Sequence, residues 1–74
     1  MPQLERIYWL DRKIRAQEYP NARTLNEEFG ITRTQAYSDY RFLRDRLHAP
    51  IEIDKKRKGW YYTDATFTLP TLIL

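Results

Sequence analysis

Along residues 31–47 the apolar positions Ala36, Tyr40, Leu43 and Leu47 recur at spacings of four, three and four, the register of one buried helical stripe. The opposite face carries Thr34, Ser38 and Arg41, flanked by Arg33 and Tyr37, and holds no acid until Asp45. Thr32 can cap this helix and Gln35, three positions on, can reach back to it, which predicts a sharp start after Gly30 and Ile31. One apolar stripe opposite one long polar, cationic face is the layout of a helix that reads DNA.

The flanking patterns predict the rest of a domain. Residues 3–18 read as a helix with Leu4, Ile7, Leu10 and Ile14 on one stripe, closed ahead of Pro20. Tyr8 and Trp9 sit beside that stripe and are read as packing residues. A shorter helix follows in residues 21–29, with Asn21 as its cap, Leu25 and Phe29 on a shared face and Gly30 as a left-handed stop. Two helices joined by a turn of about three residues containing Gly make a helix-turn-helix.

After Pro50 the period drops to two. Ile51, Glu52, Ile53 and Asp54 alternate, Lys55 to Gly59 make a polar turn, and Trp60, Tyr61, Tyr62 and Thr63 answer as a second strand. A lone hairpin is marginal in water, so Trp60 or Tyr62 is expected to bury a face against the helices. The expected fold is α+β, a winged helix-turn-helix of three helices followed by a two-stranded hairpin over residues 1–67, with an apolar tail at 68–74.

The 74 residues suffice for one small core. With no cysteine and the single histidine His48, neither a disulfide nor a metal site can be built on thiolates or imidazoles. Both glycines are assigned to turns, and no nucleophile elbow or phosphate-cradling loop is present, so the expectation is a non-enzymatic domain without a cofactor. No apolar run approaches a membrane span and no signal-peptide core is visible, so a cytoplasmic location with no membrane partner is expected.

Charge sharpens the picture. Of the net +3, residues 33–58 hold eight basic against four acidic side chains, while the remainder holds five against six. The whole positive excess therefore lies on the reading helix and the hairpin, as a nucleic-acid footprint requires.

The candidate interface follows from these positions. Arg23 and the start of the second helix brace the DNA backbone, and Thr34, Gln35, Tyr37 and Ser38 face base edges. Arg33 and Arg41 reach guanine or phosphate, and Lys55, Lys56, Arg57 and Lys58 grip phosphate or the minor groove. Arg44 and Arg46 are read as surface charges, with Arg41 and Asp45 as an ordinary i,i+4 pair. A monomer covers one short half-site, so a homodimer on paired sites is expected. Two rival readings remain: a protein-interaction module using Trp9, Phe42 and the tail, and a single-strand binder stacking bases on Trp60, Tyr61 and Tyr62.

Nearly the whole chain also resembles a known family. The run Gly30-Ile-Thr-Arg-Thr, the helix end Leu43-Arg-Asp-Arg-Leu, then Ala49-Pro-Ile-Glu-Ile-Asp, Gly59-Trp-Tyr-Tyr-Thr-Asp and Phe67-Thr-Leu-Pro are similar to the N-terminal winged helix-turn-helix of WYL-domain transcriptional regulators. The resemblance implies a bacterial or phage-defence-associated regulator of double-stranded DNA, usually dimeric, with a ligand-sensing domain after the winged helix. On that reading Leu69, Leu72, Ile73 and Leu74 begin a linker to a further domain. In the family the position of Ser38 is commonly Arg, followed by the Asp that Asp39 matches. The contact of that Arg does not carry over to Ser38, and Arg41 or Arg33 is expected to replace it.

Overall fold

The periodic apolar positions meet in one core in the computed structural model, which describes residues 2–70. Helix α1 (Pro2–Arg15) contributes Ile7, Leu10 and Ile14, α2 (Ala22–Phe29) contributes Ala22 and Leu25, and α3 (Arg33–Arg41) contributes Ala36 and Tyr40. A π-helical turn (Phe42–Arg46) adds Leu43, and strands β1 (Ile51–Asp54) and β2 (Gly59–Tyr62) close the core with Ile51 and Trp60. The result is the α+β winged helix that the periodicity predicts.

Two helix ends differ from expectation. Helix α1 stops at Arg15 rather than running to residue 18, because Gln17 takes the left-handed conformation, with φ 60°. The Gln17 N–H donates to the Ile14 carbonyl and the Glu18 N–H to the Lys13 carbonyl, each at 3.0 Å, a Schellman closure built without glycine. The early stop frees residues 19 and 20 to run beside the hairpin, where the Pro20 carbonyl accepts from the Trp60 N–H at 2.8 Å.

The second difference lies in the reading helix, expected as one α-helix to residue 47. Its α winding ends at Arg41, and the next turn widens: the Leu47 N–H donates to the Phe42 carbonyl, five residues back, at 3.2 Å. His48, left-handed at φ 56°, then lets the Ala49 N–H close on the Leu43 carbonyl at 2.9 Å. Both Leu43 and Ala49 are buried, so the wide turn reverses the chain without opening the core.

The hairpin is antiparallel, pairing Ile51 with Tyr62, Glu52 with Tyr61, Ile53 with Trp60 and Asp54 with Gly59. Trp60 is only 2% exposed, its ring 5.1 Å from that of Tyr40, and the Tyr40 hydroxyl donates to the Ile51 carbonyl. Ile53, on the same face as Ile51, is 49% exposed, so the apolar face of the hairpin continues beyond the core. Gly59 serves close packing rather than turn geometry: a Cβ there would fall 2.1 Å from the Tyr19 carbonyl oxygen, while the positive φ of the turn belongs to Lys58. Past β2, Phe67 meets the Tyr62 ring edge-on at 5.1 Å and Leu69 packs against the core. The tail residues Leu72, Ile73 and Leu74 lie outside the described residues.

Candidate nucleic-acid interface

Two reciprocal caps aim the helix-turn-helix. Asn21 accepts from the Thr24 N–H at 3.0 Å while the Thr24 hydroxyl accepts from the Asn21 N–H, which starts α2. Thr32 accepts from the Gln35 N–H at 3.1 Å, and the Gln35 side-chain oxygen accepts from the Thr32 N–H at 3.4 Å. Between them Gly30 is left-handed at φ 69°, and the Asn26 amide donates to the Ile31 carbonyl at 2.8 Å. The turn is thus pinned from both sides.

The caps leave a continuous exposed face. Arg33, Thr34, Gln35, Ser38 and Arg41 are exposed along α3. Tyr37 is 37% exposed, its ring 6.0 Å from that of Trp60. Arg23, in the first turn of α2, pairs with Glu27 at 3.3 Å and shares a shallow cleft with Arg33, Ala22 and Asn26. The structure therefore brings Arg23 to the start of the reading helix.

The acids of this half of the molecule are nearly all bonded within it. Asp39 is wholly buried and held by Arg6 and Gln3 of α1. Asp45 accepts two hydrogen bonds from Arg44, which keep its carboxyl below the usual range. The expected Arg41–Asp45 pair does not form, because Asp45 in the widened turn is bonded to its neighbour. Asp54 accepts from the backbone N–H groups of Arg57 and Lys56 and from the Arg57 guanidinium, and its carboxyl is likewise held low, chiefly by the Arg57 N–H. Of the four acids in residues 33–58, Glu52 makes no such bond among the described residues; it lies on the strand opposite Tyr61.

Not every predicted cation is equally available. Arg57 turns back toward Asp54 and lies 4.8 Å from the centre of the Tyr19 ring, so it braces the hairpin tip. Lys55, Lys56 and Lys58 are exposed and make no ion pair among the described residues, and the Lys58 carbonyl accepts from the Asn21 side chain, tying the tip to the start of α2. Arg44 pairs with Asp45 and sits 5.6 Å from the Tyr40 ring, a structural position.

The sequence patterns do not anticipate the pairing of Asp39 with Arg6. Asp39 stands three residues after Ala36 and four before Leu43, inside the buried stripe, and a carboxylate at such a position signals a buried partner. Of the three rings in the single-strand reading, Trp60 is enclosed, Tyr62 donates its hydroxyl to Asp11 at 2.9 Å, and Tyr61 is half-buried. Among the described residues no helix is long and apolar enough to cross a membrane. Compared with known protein families, curated proteins and solved structures, the chain matches none of them.

Proposed function

We propose that this domain binds double-stranded DNA sequence-specifically, as the reading module of a transcriptional regulator of the WYL-domain type. The observation that carries the reading is the acid-free exposed face of α3 together with the exposed lysines of a hairpin tip tied to the start of α2, with Asp39, Asp45 and Asp54 each bonded internally. A major groove about 12 Å wide admits such a helix. Thr34, Tyr37 and Ser38 meet base edges, while Gln35, its oxygen engaged in the cap, keeps only its NH₂ donors for a base. Arg33 and Arg41 fork onto guanine or phosphate, Arg23 meets the backbone, and Lys55, Lys56 and Lys58 hold phosphate or the neighbouring minor groove. A homodimer would join two half-sites and supply the specificity that one short site lacks.

Selection from a random duplex library, followed by titration of the winner against scrambled duplex and single strands, tests this. The expected outcome is a defined preferred site, bound more tightly than scrambled duplex and more weakly as salt rises. Equal binding to single strands, or no duplex binding at low salt, overturns it. Partner capture that is indifferent to Lys55, Lys56 and Lys58 would favour a protein-interaction role instead.

A further inference from the structure

We infer that Arg46 joins Arg41 in a clamp for a DNA backbone phosphate, in a cleft that the π-helical turn creates at the end of α3. The inference rests on the DNA-binding reading and adds a residue that helical periodicity places on the wrong side. In α-helical winding Arg46 would stand about 140° round the axis from Arg41. Winding with bonds five residues apart turns less per residue and narrows the angle between residues i and i+5, so the turn at Phe42–Arg46 brings Arg46 toward the side of Arg41.

The two arginines line one open cleft of about 480 Å³ with Gln3, Ser38, Phe42 and Asp45. Its one carboxylate is already engaged, since Asp45 accepts from Arg44 at 2.8 and 3.2 Å. Gln3 directs its amide to Asp39 at 3.4 Å. Arg41 and Arg46 are exposed and make no ion pair among the described residues, so two guanidinium forks face a cleft without a free acid. A phosphodiester oxygen pair is the planar acceptor such forks match. Arg41 lies eight residues, about 12 Å, along the axis from Arg33, so this end of the helix meets the backbone flanking the groove rather than the bases read at its start.

The test compares wild type, Arg46→Gln, Arg46→Lys and Arg12→Gln on the selected duplex, with thermal melting to verify folding. Arg12 is exposed on α1 and controls for loss of one positive charge. Arg46→Gln should flatten the log–log salt dependence by about 0.9, so that raising salt from about 50 to about 200 mM weakens it roughly 3.5-fold less than wild type. Base preference should not change, Arg46→Lys should keep the wild-type slope, and Arg12→Gln should leave it unaltered. Scanning the site with single methylphosphonates should reveal one flanking position that weakens wild type more than it weakens Arg46→Gln, which keeps only the Arg41 contact there. Equal slopes for wild type and Arg46→Gln, an equal drop for Arg12→Gln, or identical scans overturn the clamp while leaving the DNA-binding reading standing. Absence of duplex binding by wild type overturns both.

Discussion

The Asp39 carboxylate, in the last turn of α3, receives both arms of the Arg6 guanidinium from α1, Nε to Oδ2 at 2.5 Å and Nη2 to Oδ1 at 3.1 Å. Asp39 has no solvent exposure, and the hydrogen bond to it raises the Arg6 pKa above its already high ordinary value. A bidentate pair fixes orientation as well as distance, so it sets how far α3 is rotated and hence which residues form its outer face. Ser38, next in sequence to this anchor, is turned outward as a consequence.

Breaking the pair should therefore be costly. Arg6→Met leaves a buried carboxylate without a partner and should destabilise the domain by about 3 to 5 kcal/mol, whereas Arg6→Met combined with Asp39→Leu should recover much of that loss. Urea unfolding of the two single variants and the double variant measures the coupling. A near-zero coupling energy would mean that the pair does not hold α3.

The hairpin cations should separate into two groups. Changing Lys55, Lys56 and Lys58 to Ala should weaken binding to specific and random duplex alike, flattening the log–log salt slope by about 1.8 if two of them meet phosphate. Arg57→Ala should instead act mainly on the hairpin, because that side chain is engaged with Asp54 and Tyr19. Salt titrations and melting curves on the same proteins check the division; an Arg57 effect on slope as large as that of the lysines contradicts it.

Thr34→Ala should change preference among base pairs at one or two positions, by on the order of 1 kcal/mol, and leave the melting temperature unmoved. Thr34 is exposed and has no role in the helix cap, so a stability loss would place it elsewhere than on a reading face. Competition among point variants of the preferred site supplies the measurement.

The two glycines should respond differently to alanine. Gly30→Ala meets no atom within 4 Å and costs only the left-handed backbone, about 1 to 2 kcal/mol. Gly59→Ala drives a methyl into the Tyr19 backbone and should displace the hairpin from residues 19 and 20, with the larger loss. Calorimetry on both variants decides the order; a milder Gly59 variant would show that the hairpin can shift without penalty.

Alkali should unfold the domain through its tyrosines. Burial first, and then the hydrogen bond to Asp11, push the Tyr62 phenol well above its ordinary value near 10, and burial raises Tyr40 as well. A group whose folded pKa is raised contributes stability that is complete below the unfolded value and is lost as pH climbs from there toward the folded one. Stability should thus decline above about pH 10, and Tyr62→Phe should make the decline shallower without abolishing it. Unfolding curves taken alongside phenolate absorbance test this; an unchanged decline in the variant removes Tyr62 from the account.

Much of the molecule was legible because its signals are local. The caps at Asn21 and Thr32, the left-handed stop at Gly30 and the shift from helical to alternating periodicity at Pro50 depend on residues within a few positions of one another. The outward face of Arg33, Thr34, Ser38 and Arg41 followed from the same spacing, because an amphipathic helix has only one way to bury Ala36, Tyr40 and Leu43.

The order and kind of the elements, and the sign of the charge along them, thus follow from short-range spacing alone. Tertiary structure decided the rest, because it depends on groups far apart in the chain. Arg6 makes Asp39 a clamp from thirty-three positions away, Tyr19 makes Gly59 a point of contact, and Tyr19 with Asp54 draws Arg57 out of the basic cluster. The widening at Phe42–Arg46 belongs here too: the Leu43 carbonyl meets Ala49 only after the chain has reversed into the hairpin, and no spacing within the helix records that meeting.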